Sequence, residues 1–248
     1  MKKDNAPKRV AILGCFRSGT NFAKTLLEQN FNCEIKNNVF GWKHGYVPII
    51  SNDSNAECRF HYDEAFFITK NPFSFLFSLF NYHKEVQRNI IAPLDFESFI
   101  FNKIVMFDES QDHSPQLRFS SPVELWNNMN WNYYSSNKFV HVRYEKLIEK
   151  PELVCEKLAL KMGLVRNSES FFIPDKRVKR INDGEKLLTK NDYMSDEIFN
   201  NSNYTSHKYM KLFNQRSIEF VLNKIDDELL KMLGYVEIVS DVVNLTNE

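Results

Sequence analysis

One stretch near the N-terminus narrows the possible folds more than any other: Arg9-Val-Ala-Ile-Leu-Gly-Cys-Phe-Arg-Ser-Gly-Thr-Asn-Phe-Ala-Lys-Thr-Leu-Leu-Glu28. The apolar, largely β-branched run Val10–Leu13 reads as a buried strand of a parallel sheet. It breaks at Gly14 and turns through Cys15–Gly19. Apolar residues then recur at Phe22, Ala23, Leu26 and Leu27, which is helical spacing. A strand, a glycine-bounded loop and a helix N-terminus form an anion cradle. Backbone N–H groups converge there, and the helix dipole adds roughly half a positive charge.

The loop comes close to the G-x-x-x-x-G-K-[ST] phosphate motif and departs from it in an informative way. Gly14 and Gly19 match, but Thr20 and Asn21 replace the lysine that would reach terminal phosphates and the hydroxyl that would hold Mg²⁺. Phosphoryl transfer leans on both. The expectation is therefore a phosphate-binding loop without a loop-held metal, with Arg17 supplying the cation. The bland alternative is a strand-turn-helix carrying a solvated arginine.

Lys+Arg and Asp+Glu both number 32, so the formal charge is zero and no global basic field exists. A nucleic-acid polymer or an anionic membrane is not the expected partner, and any anion must be met by local clusters. Cys15, Cys33, Cys58 and Cys155 show no C-x-x-C spacing and fit reduced thiols in a cytoplasm. The opening Met1–Pro7 lacks an apolar signal core, and no apolar run approaches membrane length. At 248 residues the chain fits one α/β domain spanning 1–248.

Further along, Val39–Gly45 reads as a short second strand ending in polar groups. Glu64–Lys70 reads as a third, followed by a helix opening at Pro72, a favoured first position. Residues 84–122 look irregular and serve as the expected lid or acceptor-binding region. Ser121-Pro-Val-Glu124 has the marks of a helix start, with Leu125, Trp126, Met129 and Tyr133 on one face. Lys138–Arg143 alternates like a strand, and Pro151–Met162 is a helix stopping at Gly163. Residues 166–191 are polar and basic around Lys176–Arg180, and Ser217–Leu233 is amphipathic. Strands alternating with helices argue for an α/β fold with a parallel sheet. Ligands of such sheets bind at the carboxyl ends of the strands.

Several motifs in this order resemble the sulfotransferase family that uses 3′-phosphoadenosine-5′-phosphosulfate (PAPS). Phe16–Asn21 is similar to its 5′-phosphosulfate loop. Lys70-Asn-Pro with Ser78 resembles its 3′-phosphate motif, with lysine where arginine is usual. Val142-Arg-Tyr-Glu-Lys-Leu147 followed by Pro151, and the closing Leu233-Gly-Tyr235, are also similar. The resemblance implies a three-layer α/β/α unit with a central parallel sheet, P-loop NTPase-like, that transfers a sulfuryl group without a metal. The acceptor would be a hydroxyl of a small molecule or carbohydrate.

The resemblance also implies residue roles. Arg17 and the backbone of Ser18, Gly19, Thr20 and Asn21 would hold the 5′-phosphosulfate. Lys70 and Ser78 would bind the 3′-phosphate, and Tyr144 and Phe22 would lie near the adenine. Arg177, Lys179 and Arg180 would close over the nucleotide. His44 is the expected general base, since imidazole titrates near neutrality. Lys43 would neutralise the leaving oxygen. Adjacent strand residues face opposite ways, so only one of Lys43 and His44 faces the sulfur unless the strand has ended. Asp108, Glu109 and Asp112 are the alternative carboxylate bases. Two other functions stay open: a P-loop nucleotide or nucleoside kinase, and a non-catalytic nucleotide-binding module.

Overall fold

The computed structural model describes residues 6–47, 61–86, 95–106, 116–136, 139–178, 194–198 and 202–245. The strands are β1 (Lys8–Gly14), β2 (Cys33–Lys36), β3 (Glu64–Thr69), β4 (Ile104–Met106), β5 (Leu117–Phe119), β6 (Val140–Arg143), β7 (Lys176–Val178) and β8 (Met194–Ile198). The helices are α1 (Thr20–Asn30), α2 (Pro72–Val86), α3 (Phe96–Phe101), α4 (Pro122–Ser135), α5 (Tyr144–Glu149), α6 (Pro151–Met162), α7 (Ser202–Thr205), α8 (Gln215–Lys224), α9 (Asp227–Leu233) and α10 (Val236–Leu245). A short 3₁₀ helix, Lys208–Leu212, precedes α8.

The molecule is α/β, with a central four-stranded parallel sheet flanked by helices. Its strand order is β2-β1-β3-β6. Alternation along the strands gives each face its own apolar cluster. Val10, Ile12, Phe66 and Ile68 meet Phe22, Leu26 and Leu27 of α1 and Leu158 of α6. Leu13 and Phe67 turn the other way, toward Phe73, Leu76, Trp126 and Leu229 of α2, α4 and α9. Burial on both faces explains why β1 and β3 are continuously apolar. The chain leaves β1 toward β2 on one side and leaves β3 toward β6 on the other. The crevice between the carboxyl ends of β1 and β3 is therefore the topological switch point of the sheet.

The described structure departs from the sequence expectations in two places. The second strand is Cys33–Lys36, not Val39–Gly45. The latter segment forms turns, held by Gly41 N–H on the Asn38 carbonyl at 3.2 Å and Gly45 N–H on the Trp42 carbonyl at 2.8 Å. The supposedly irregular 84–122 region contains α3, capped by Asp95, and the antiparallel pair β4–β5. Phe96, Phe99, Ile100, Ile104, Met106 and Phe119 from this region enter the core. The amphipathic run 217–233 is broken into α8 and α9, because Asp226 accepts from the Leu229 N–H and caps a new helix.

Candidate functional site

The loop after β1 is strained and uncapped. Arg17 has φ 68°, a value that non-glycine residues rarely adopt, and Gly19 has φ 99°. Ser18 N–H donates to the Cys15 carbonyl at 3.0 Å, closing a tight turn. No side chain caps α1, and its first turn holds no acidic residue. Ser18 is fully buried and its Oγ has no hydrogen-bond partner. Unpaired buried hydroxyls are costly. Gly19 is required twice over. Its φ is positive, and a Cβ there would lie 2.3 Å from Cδ2 of Tyr144.

The turn holding Lys43 and His44 folds back onto this loop. Gly14 N–H donates to the Lys43 carbonyl at 3.2 Å. Lys43 Nζ donates to Asn21 Oδ1 at 2.8 Å and to Asn37 Oδ1 at 3.5 Å. His44 Nδ1 lies 2.7 Å from the Gly14 carbonyl oxygen. A carbonyl only accepts, so Nδ1 carries the proton and the lone pair of the neutral ring sits on Nε2. Because the segment is a turn, the alternation that would separate Lys43 from His44 does not apply. Both reach the loop. Phe16 lies against His44 at 5.0 Å and Tyr82 at 4.6 Å, and Trp42 against His44 at 5.3 Å. The Arg17 guanidinium rests over Tyr82 at 5.3 Å.

At the end of β3, Lys70 is buried, with its Nζ donating to Ser78 Oγ at 3.2 Å. The eight-residue separation closes because α2 begins at Pro72 and brings Ser78 back over the strand end. The ammonium lies 4.0 Å from the centre of the Tyr144 ring and 4.3 Å from that of Tyr204. Two ring faces and one hydroxyl form a cation cage. Burial holds the Lys70 pKa below its usual value, opposed by Tyr204 and Glu145 and reinforced by Arg17. The indole N–H of Trp126 donates to the Lys70 carbonyl at 2.8 Å and fixes the backbone here.

These pieces are continuous. Tyr144 touches Gly19 on one side and Lys70 on the other, joining the loop to the cage. The sequence-predicted residues Arg17, Ser18, Gly19, Asn21, Lys43, His44, Lys70, Ser78 and Tyr144 thus belong to one run of contacts at the carboxyl ends of β1 and β3, with Thr20 buried at the helix start. Phe22 is 7% exposed and packs in the core cluster with Leu26 and Leu27. Arg177 lies in β7, which pairs with β8 and approaches α1. Lys179, Arg180, Asp108, Glu109 and Asp112 lie outside the described residues. Tyr204, Tyr82 and Glu145 were not foreseen in these places. No local pattern marks Tyr204 or Tyr82, whereas Glu145 stands inside the Val142–Leu147 motif.

No family model, no curated protein and no solved structure matches this chain. Among the described residues no helix is long and apolar enough to cross a membrane. None of their His, Cys, Asp and Glu side chains form a group of three suited to a metal ion. Cys15, Cys33 and Cys155 are free and buried, and burial pushes the thiols of Cys33 and Cys155 up to about 12.

Proposed function

We propose that this chain is a sulfotransferase that moves a sulfuryl group from PAPS to an acceptor hydroxyl. The observation that carries the reading is the Lys70–Ser78–Tyr204 cage beside the uncapped loop. It supplies a second anion site, adjacent to the first and without a metal ligand. A nucleotide bearing both a 5′-phosphosulfate and a 3′-phosphate suits two such sites, whereas a P-loop kinase needs only one, together with the lysine and hydroxyl absent at Thr20 and Asn21. The sheet and its helices are then the core of a three-layer α/β/α, P-loop NTPase-like unit. Buried, weakly acidic thiols favour a reducing compartment such as the cytoplasm.

In this reading the acceptor oxygen attacks sulfur, and the bond from sulfur to the bridging oxygen of the 5′-phosphate breaks. The electron pair leaves with that oxygen, and the acceptor proton passes to Nε2 of His44. The Gly14 carbonyl holds Nδ1–H and stabilises the imidazolium that forms. Lys43 and Arg17 offset the charge growing on the leaving phosphate. The products are a sulfate ester and adenosine 3′,5′-bisphosphate. The acceptor is a small molecule or a carbohydrate.

The test is a screen of phenols, alcohols and sugars with PAPS, read as release of adenosine 3′,5′-bisphosphate in the presence of a chelator. Turnover with chelator present is expected. Turnover only with ATP and Mg²⁺ would overturn the reading in favour of a kinase. Tight PAPS binding with no turnover on any acceptor would leave a nucleotide-binding module.

A further inference from the structure

The turn that carries Lys43 and His44 is held from two sides. On the β1 side, Gly14 uses both of its backbone groups. Its N–H donates to the Lys43 carbonyl at 3.2 Å, and its carbonyl accepts from His44 Nδ1 at 2.7 Å. On the other side stands α4. Asn132 Oδ1 accepts from the Val47 N–H at 2.7 Å, and Asn132 Nδ2 donates to the Val47 carbonyl at 3.0 Å. One side-chain amide thus pairs with a backbone residue as a neighbouring strand would. The next residue, Tyr133, is fully buried, and its hydroxyl donates to the Gly45 carbonyl at 3.1 Å. The helix is itself tied to the rest of the site. The Trp126 indole N–H donates to the Lys70 carbonyl at 2.8 Å, and Cys15 Sγ–H donates to Asn130 Oδ1 at 3.6 Å. One helix therefore touches the loop after β1, the end of β3 and the turn.

We propose that Asn132 is a positioning residue for His44: its amide fixes the turn against α4 and so keeps Nδ1–H on the Gly14 carbonyl, with the lone pair of the ring on Nε2. The tautomer needs this support. A free neutral imidazole favours the proton on Nε2, and in a protein the hydrogen bond made by one ring nitrogen decides which tautomer is kept. Residues 42–47 belong to no strand or helix, so no backbone ladder holds His44 against Gly14. The bonds from α4 take that part, and the two made by Asn132 fix the direction of the chain as well as its place. The catalytic role of His44 rests on the function proposed above; the hold on its tautomer does not.

The test compares Asn132→Ala with Ser121→Ala, which loosens the same helix at its cap and keeps the bonds to Val47 and Gly45. The first readout is the ring ¹⁵N shifts of His44 in mildly alkaline solution, where imidazole is neutral, assigned with His44→Ala. The parent and Ser121→Ala should show the proton on Nδ1. Asn132→Ala should show it moved largely to Nε2. The second readout is steady-state kinetics with PAPS. In Asn132→Ala kcat should fall by roughly 10²-fold, with affinity for adenosine 3′,5′-bisphosphate at the parental value. A parent already protonated on Nε2, parental ring shifts in Asn132→Ala, or the same displacement in Ser121→Ala would each cut the link from Asn132 to His44 and overturn the proposal. Should the alanine variant not fold, Asn132→Asp carries the test: it keeps an acceptor for the Val47 N–H and sets a second acceptor against the Val47 carbonyl. The same move of the proton is expected there, and parental ring shifts would again overturn the proposal. A displaced proton in a protein whose parent never turns over PAPS would uphold the hold on His44 while removing the sulfotransferase reading.

Discussion

At the residue scale, His44 and His141 show how position divides one side chain type. His44 sits half-buried with Nδ1 held on the Gly14 carbonyl, leaving Nε2 as the basic atom. His44→Ala should lower kcat by about 10²–10⁴-fold and leave nucleotide affinity unchanged, as measured by steady-state kinetics and calorimetry. The acidic limb of the kcat/KM profile should vanish with it. Near-parental rates would shift the base to Asp108, Glu109 or Asp112. His141 instead stacks on Phe67 at 4.9 Å, and burial, aided by Arg143, draws its pKa from 6.5 down to about 4. The folded protein therefore refuses a proton that the unfolded chain accepts. The stability tied to His141 is full above about pH 6.5 and is lost as pH falls toward 4, by at most about 3 kcal/mol. Urea titrations at pH 7 and pH 5 should show this loss in the parent and a smaller one in His141→Gln. Arg17→Ala should weaken nucleotide binding by roughly 1.5–3 kcal/mol, since a charge-assisted bond to an anion is lost. Its Tm should stay near the parental value, because the side chain is only half-buried and rests against Tyr82 rather than in the core.

At the element scale, the β1–loop–α1 unit is where local sequence was most readable. Consecutive apolar residues required a strand buried on both faces, and two glycines bounded the turn. Gly19→Ala should be severe, because it sets a Cβ against the Tyr144 ring as well as imposing a left-handed backbone on alanine. Both Tm and nucleotide affinity should fall. Ser121→Ala is the contrasting case: it removes the α4 cap on the Glu124 N–H and should cost about 1 kcal/mol with no change in nucleotide affinity. Other elements were less legible for physical reasons. Val39–Gly45 has apolar residues that pack as a turn, with Val39 buried and Trp42 against the core, and a seven-residue window cannot separate that from a strand. β2 escaped notice because Cys33-Glu-Ile-Lys36 is a short strand whose apolar alternation covers only two residues. The Lys70 cage was legible in half. Lys70 and Ser78 share a helix-spaced motif, but Tyr204 arrives from far along the chain and only tertiary folding reveals it.

At the scale of the whole molecule, the proposed function makes stability depend on the ligand. Adenosine 3′,5′-bisphosphate should raise Tm well beyond AMP, since only the former engages both the loop and Lys70. At one hundred times its dissociation constant a ligand stabilises by about 2.7 kcal/mol. Differential scanning fluorimetry giving equal shifts for the two nucleotides would remove the Lys70–Ser78 assignment. The closing Leu233-Gly-Tyr235 motif also acts at this scale. Gly234 ends α9 at φ 72°, its carbonyl accepts from Arg143, and Tyr235 plants its hydroxyl between Thr69 and Glu145. A segment near the end of the sequence thus braces the crevice formed at its beginning.

The strand order also sets a timetable for folding. Lys8 pairs with Cys33 across the α1 crossover, Val10 with Glu64 across a longer connection, and Phe66 with Val140 across the longest. Loop-closure entropy grows with the logarithm of length, so the roughly threefold span from the first pairing to the last costs about 1 kcal/mol more. The β1–α1–β2 crossover is therefore the inexpensive nucleus, and β6 docks late. Since Tyr144 follows β6 directly, the loop after β1 can form early, but the wall that joins it to Lys70 is completed only when β6 is in place. Pulsed hydrogen exchange during refolding should protect the amides of β1 and β2 before those of β6, and nucleotide binding should appear with the later phase.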